Sequence, residues 1–134
     1  MDLALAQKVL GAAVAHAETI GVRLSFSIAD HTGNEILTAR MEGAPWFTPH
    51  IARTKAKSCV AMGSDSRDLA DLDAEHPGLL AVIGEQVGFT VTTLGGGVVV
   101  KDGDTVVGAV AGSGAHPDQD AECARAGAAA WLAP

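Results

Sequence analysis

Leu5, Val9, Ala13, His16 and Ile20 recur at spacings of four and three, the period of a helix with one face turned inward. Gly21 supplies its stop. Beyond it, Val22, Leu24, Phe26 and Ile28 alternate with Arg23, Ser25 and Ser27, which predicts a strand with one buried face. Asp30-His31-Thr32-Gly33-Asn34 has turn chemistry, and Glu35 to Met41 returns as the second strand of a hairpin. Thr48 before Pro49 reads as the N-cap and first-turn proline of a helix running through Lys55 and Cys59 to Gly63. Ser66 to Leu72 is a short acidic helical stretch, and Pro77 opens another that ends near Gly88. Phe89 to Leu94, Val98 to Lys101 and Thr105 to Ala111 read as further strands, the last two joined by the turn at Lys101-Asp102-Gly103-Asp104. Pro117, with Asp118, Asp120 and Glu122 behind it, opens a final helix whose acidic start suits the macrodipole. The predicted fold is α+β, an antiparallel sheet of about five strands flanked by helices in the order α-β-β-α-α-β-β-β-α.

Composition narrows this picture. The 134 residues have room for a single domain, residues 1–134, around one core. Hydrophobic residues make up 48% but aromatics only 4%, so the core is built from Ala, Val, Leu and Ile around many glycines. A net charge of -7, with nine scattered Lys and Arg, argues against nucleic acid and anionic membranes as partners. Cys59 and Cys123 lack metal-type spacing and are too few for a disulfide framework. The N-terminus has no secretory pattern, and no apolar run approaches the length of a membrane span. A cytoplasmic location is the expectation.

Arg40 and Glu42 sit two apart at the end of a strand and leave the same face. Arg40 can hold a carboxylate and Glu42 can move a proton if that face lines a pocket, with Lys55 completing the set. The alternative is a structural ion pair, with Lys55 as a candidate partner, tying the strand end to the next helix. Gly95-Gly96-Gly97 permits close backbone approach or positive φ, and is not a phosphate loop because no Gly-Lys-Ser/Thr follows. Gly108, Gly112 and Gly114 bare one surface of the last strand, for a cleft floor or for tight packing. Ser113 between two of these glycines lacks the Gly-x-Ser-x-Gly order of a nucleophile elbow.

Several of these stretches form a set in a fixed order: Asp30 with Gly33; Arg40-Met41-Glu42-Gly43-Ala44; Gly95-Gly96-Gly97; Asp102-Gly103 through Gly108 to Ser113-Gly114; then Asp118, Gln119, Asp120, Cys123 and Ala124. The set resembles the GlcG/HbpS family, also found as the C-terminal domain of PduO-type corrinoid adenosyltransferases, over nearly the whole chain. It departs from the family pattern at Glu42, where an Asp is usual, and at Val98, where a Pro is usual. The resemblance implies a profilin-like fold, assembly into homo-oligomers, and binding of haem or a related tetrapyrrole. It makes His16 the candidate axial ligand of a haem iron, with Gly96, Gly97 and Ser113 as further cofactor-binding candidates. The bland reading of His16 is a partly buried imidazole satisfied by a carbonyl. The leading functional expectation is a small-ligand-binding module. The second is a small-molecule enzyme of isomerase, lyase or ring-opening type using Arg40 and Glu42. A subunit that only stabilises a partner enzyme is the third.

Overall fold

A computed structural model describes residues 1–134. Helix α1 (Leu3–Ile20) starts where the Asp2 carboxylate accepts the Leu5 N–H and stops at Gly21, which takes the left-handed conformation at φ +74° and returns its N–H to the last turn. Ala6, Val9, Ala13 and Ala17 form its buried stripe. The chain continues through strands β1 (Ser25–Asp30) and β2 (Glu35–Arg40), helices α2 (Thr48–Met62), α3 (Ser66–Glu75) and α4 (Leu79–Val87), strands β3 (Gly97–Asp102) and β4 (Thr105–Ser113), and helix α5 (Pro117–Leu132). The strands make one antiparallel sheet in the order β2-β1-β4-β3. The α+β class, the antiparallel sheet and the flanking helices stand as expected.

The sheet has four strands, not five. Phe89 to Leu94 joins no ladder, because its backbone donors are taken by hydroxyls: the Thr92 N–H donates to Ser58 Oγ at 3.1 Å and the Leu94 N–H to Thr92 Oγ1 at 3.1 Å. A segment satisfied from the side has no need of a neighbouring strand. Thr48 is also displaced from its expected cap position. It lies within the first turn of α2, donates its hydroxyl to the Pro45 carbonyl at 2.7 Å, and sits 2.8 Å from Ser25 Oγ.

β1 is buried on both faces rather than one. Phe26 and Ile28 pack toward α1 and α5 with Leu24, Val98, Val100 and Val110. Each such fully buried side chain is worth about 1.5–3 kcal/mol. Ala29, Ala109 and Ala111 face α2, where Ala56 and Cys59 close the second, shallower core. Small side chains let α2 approach the sheet, and this is where the low aromatic content is used. Leu69, Leu80 and Val91 make a satellite cluster under α3 and α4. No helix is long and apolar enough to cross a membrane.

The bared surface of β4 is covered from within the chain. A Cβ on Gly108 would lie 2.2 Å from a ring carbon of Trp131, and one on Gly112 would lie 3.0 Å from the Asp120 carbonyl oxygen. Tight packing of α5 therefore explains these two glycines.

Candidate functional site

α2 and α5 reach β4 from opposite sides, and each carries one charged residue on its buried stripe. On α2 it is Lys55, among Ala52, Ala56 and Cys59; on α5 it is Asp120, in register with Cys123, Ala124 and Gly127. The two meet past the end of the sheet, with Lys55 Nζ 3.3 Å from Asp120 Oδ2 and both side chains 3% exposed. The ammonium also donates to the Gly112 carbonyl at 2.8 Å. Asp120 Oδ1 accepts the Ala115 N–H at 3.0 Å. Burial pushes the Lys55 amine below its ordinary pKa, against the pull of Asp120. Burial likewise pushes the Asp120 carboxyl up, against the pull of Lys55.

The glycine triplet makes room for this pair. Gly96 has φ +122°, and a Cβ there would lie 2.7 Å from Lys55 Nζ and 2.8 Å from Asp120 Cβ. A Cβ on Gly97 would lie 2.7 Å from Cys59 Sγ, and its N–H is held by Ser66 Oγ at 2.9 Å. Gly96 and Gly97 are thus packed against Lys55.

A cleft of about 360 Å³ opens above the pair, within the size range of small-molecule sites. Phe47, Ile51 and Leu94 give it an apolar wall, and Lys55, Ser113 and Asp120 a polar floor. Ser113 is 6% exposed and pairs through its backbone with β1, but its hydroxyl has no side-chain hydrogen-bond partner. With no buried oxygen left unsatisfied, its Oγ is open to the cleft. A larger cleft, about 710 Å³ between α4 and the Phe89–Thr93 segment, contains none of the candidate site residues.

Arg40 and Glu42 do not join this floor. The Arg40 guanidinium donates to the Ala44 carbonyl at 3.0 Å and braces the turn after β2, and Glu42 is exposed in that turn. Neither lines the cleft, and Lys55 has Asp120 as its acidic partner rather than Glu42. Asp120 is the residue that sequence reading passed over as a helix-start carboxylate. Its signal was its place in the buried stripe with Ala124 and Gly127.

His16 occupies a separate place. It is on α1 beside α5, 34% exposed, with Nε2 2.6 Å from Glu122 Oε2. A carboxylate, not a carbonyl, satisfies the ring. The two helices under it are fixed by small residues, since a Cβ on Gly127 would lie only 3.2 Å from Val9 Cγ1 and 3.3 Å from Ala13 Cβ.

Comparison with known proteins agrees with this architecture. The family described as haem degrading protein HbpS-like matches residues 1–129. The corrinoid adenosyltransferase PduO of Salmonella typhimurium is 32% identical over 119 residues, covering 89% of this chain but only 35% of that protein. A double mutant of HbpS from Streptomyces reticuli superposes with TM-score 0.87 at 31% identity, covering 100% of this chain and 88% of the other. A PduOC complex with haem superposes with TM-score 0.84 at 29% identity, covering 97% and 94%. With a match over nearly its whole length and the same fold, the chain belongs to the HbpS-like family.

Proposed function

We propose that this protein is a cytoplasmic, homo-oligomeric module that binds haem or a closely related tetrapyrrole, with His16 as the axial ligand. The observation that carries the reading is the half-exposed His16 imidazole held by Glu122 at 2.6 Å. A ligating histidine needs one accessible nitrogen and a partner that fixes the ring, and His16 with Glu122 fits that description. Glu122 holds Nε2, so the nitrogen left for a metal is Nδ1. Bound haem would supply an iron that takes this nitrogen. A relative solved with haem, and the family's description, support the reading.

Hemin added to apo-protein is expected to give a sharp, shifted Soret band that His16→Ala weakens or moves. Glu122→Gln keeps a hydrogen-bonding partner for the ring and is expected to retain the band. No band with the wild-type protein would end the haem reading, and an unchanged spectrum in His16→Ala would remove His16 from it.

A further inference from the structure

The cleft over Lys55 and Asp120 is independent of the His16 surface, and haem binding at His16 leaves it unused. We propose that the Lys55 amine forms an imine with a small, uncharged aldehyde or ketone held in this cleft. The floor brings together a primary amine, a carboxylate 3.3 Å from it and a hydroxyl without a partner. An ammonium has three N–H donors, and two are accounted for by Gly112 and Asp120. The third and the Ser113 hydroxyl are free to hold a carbonyl oxygen.

The ligand's character follows from the walls. Lys55 and Asp120 already balance each other, so an anion would face the Asp120 carboxylate and a cation the Lys55 ammonium. An uncharged polar end meets neither penalty. Phe47, Ile51 and Leu94 suit an apolar body. Gly95 and Gly114, also in the lining, place no side chain in the way. Burial, which lowers the Lys55 pKa, favours the neutral nucleophilic amine.

The steps balance within the site. Lys55 passes a proton to Asp120, and the amine lone pair attacks the carbonyl carbon as the carbon–oxygen π pair moves to oxygen. A proton shifts from nitrogen to that oxygen through the Ser113 hydroxyl and gives a neutral carbinolamine. Asp120 then returns its proton to the carbinolamine hydroxyl, which leaves as water while the nitrogen lone pair closes the C=N bond. The sum is ammonium plus carbonyl giving iminium plus water, with the Asp120 carboxylate restored as counter-ion.

Wild-type protein is incubated at neutral pH with butanal and sodium cyanoborohydride, and the alkylated lysines are mapped by peptide mass spectrometry. Lys8, Lys57 and Lys101 are exposed and serve as internal standards. Lys55 is expected to be labelled on the order of tenfold faster than any of them, as for an amine activated by desolvation. In urea-unfolded protein that advantage is expected to vanish. Ser113→Ala is expected to slow labelling of Lys55 roughly three- to tenfold, the worth of one hydrogen bond, without changing the exposed lysines. Glyoxylate, an anionic aldehyde, is expected to label the exposed lysines but not Lys55. Native labelling confined to Lys8, Lys57 and Lys101 would overturn the proposal. Equal labelling of Lys55 by glyoxylate would overturn the assignment of an uncharged ligand.

Discussion

Lys55 Nζ and Asp120 Oδ2 stand 3.3 Å apart, both side chains withdrawn from solvent, and join α2 to α5 across the end of β4. Removing either partner alone leaves a buried charge uncompensated, whereas removing both leaves none. Lys55→Met is therefore expected to destabilise the fold by about 3–5 kcal/mol. Lys55→Met with Asp120→Asn is expected to recover a large part of that loss. Urea midpoints of the wild type, both single variants and the double variant form the cycle that checks this. Additive losses would show that the pair is not coupled.

Gly108 is expected to tolerate no side chain. A Cβ there would meet the Ala29 carbonyl oxygen at 2.3 Å as well as Trp131, and the carbonyl belongs to the β1–β4 ladder, so it cannot step aside. Gly108→Ala should lower stability by about 1–3 kcal/mol, the usual range for overpacking, and move the Trp131 ring. Thermal melts and tryptophan emission measure the two effects. Trp46 is 78% exposed, so any blue-shifted part of the emission comes from Trp131.

Stability should fall in acid. The Thr32 hydroxyl holds the Asp30 carboxyl below its ordinary pKa, and Thr38 and Arg53 do the same for Glu35. Since the unfolded chain binds these protons more readily, their stabilisation is present above the unfolded values and is lost as pH falls through the folded ones. The urea midpoint is expected to drop between about pH 5 and about pH 3, and Asp30→Asn with Glu35→Gln should flatten that drop. An identical slope in the double variant would contradict the assignment.

Neither thiol is expected to react in the native state. Burial pushes Cys59 up to about 12 and Cys123 up to about 11, so almost no thiolate forms at neutral pH. Iodoacetamide should modify both only after unfolding, as read by intact mass.

Much of this fold is legible in the periodicity of the chain. The alternation from Val22 to Ile28 marks β1, and Gly21 and Gly63 end α1 and α2 with positive φ. Phe89 to Leu94 misled because its apolar residues serve the α3–α4 cluster and the cleft wall instead of a ladder. The second buried face of β1 was hidden by Ser25 and Ser27, which look solvent-facing until Thr48 and Thr38 supply their partners. At the site, Lys55 and the glycine triplet were each legible as candidates. Asp120 was not, because a carboxylate in a first helical turn usually faces water. Arg40 ends β2 while Glu42 lies in the turn beyond it, and the two converge on nothing, since Arg40 closes its own turn.

Native mass spectrometry of the protein purified from its own host tests the central claim most directly, because it reports bound ligand and subunit number together. The account predicts a multimer of the 13.5 kDa chain carrying the mass of haem or a related tetrapyrrole, lost when His16 is replaced by Ala. A ligand-free monomer that also fails to take up added hemin would contradict it.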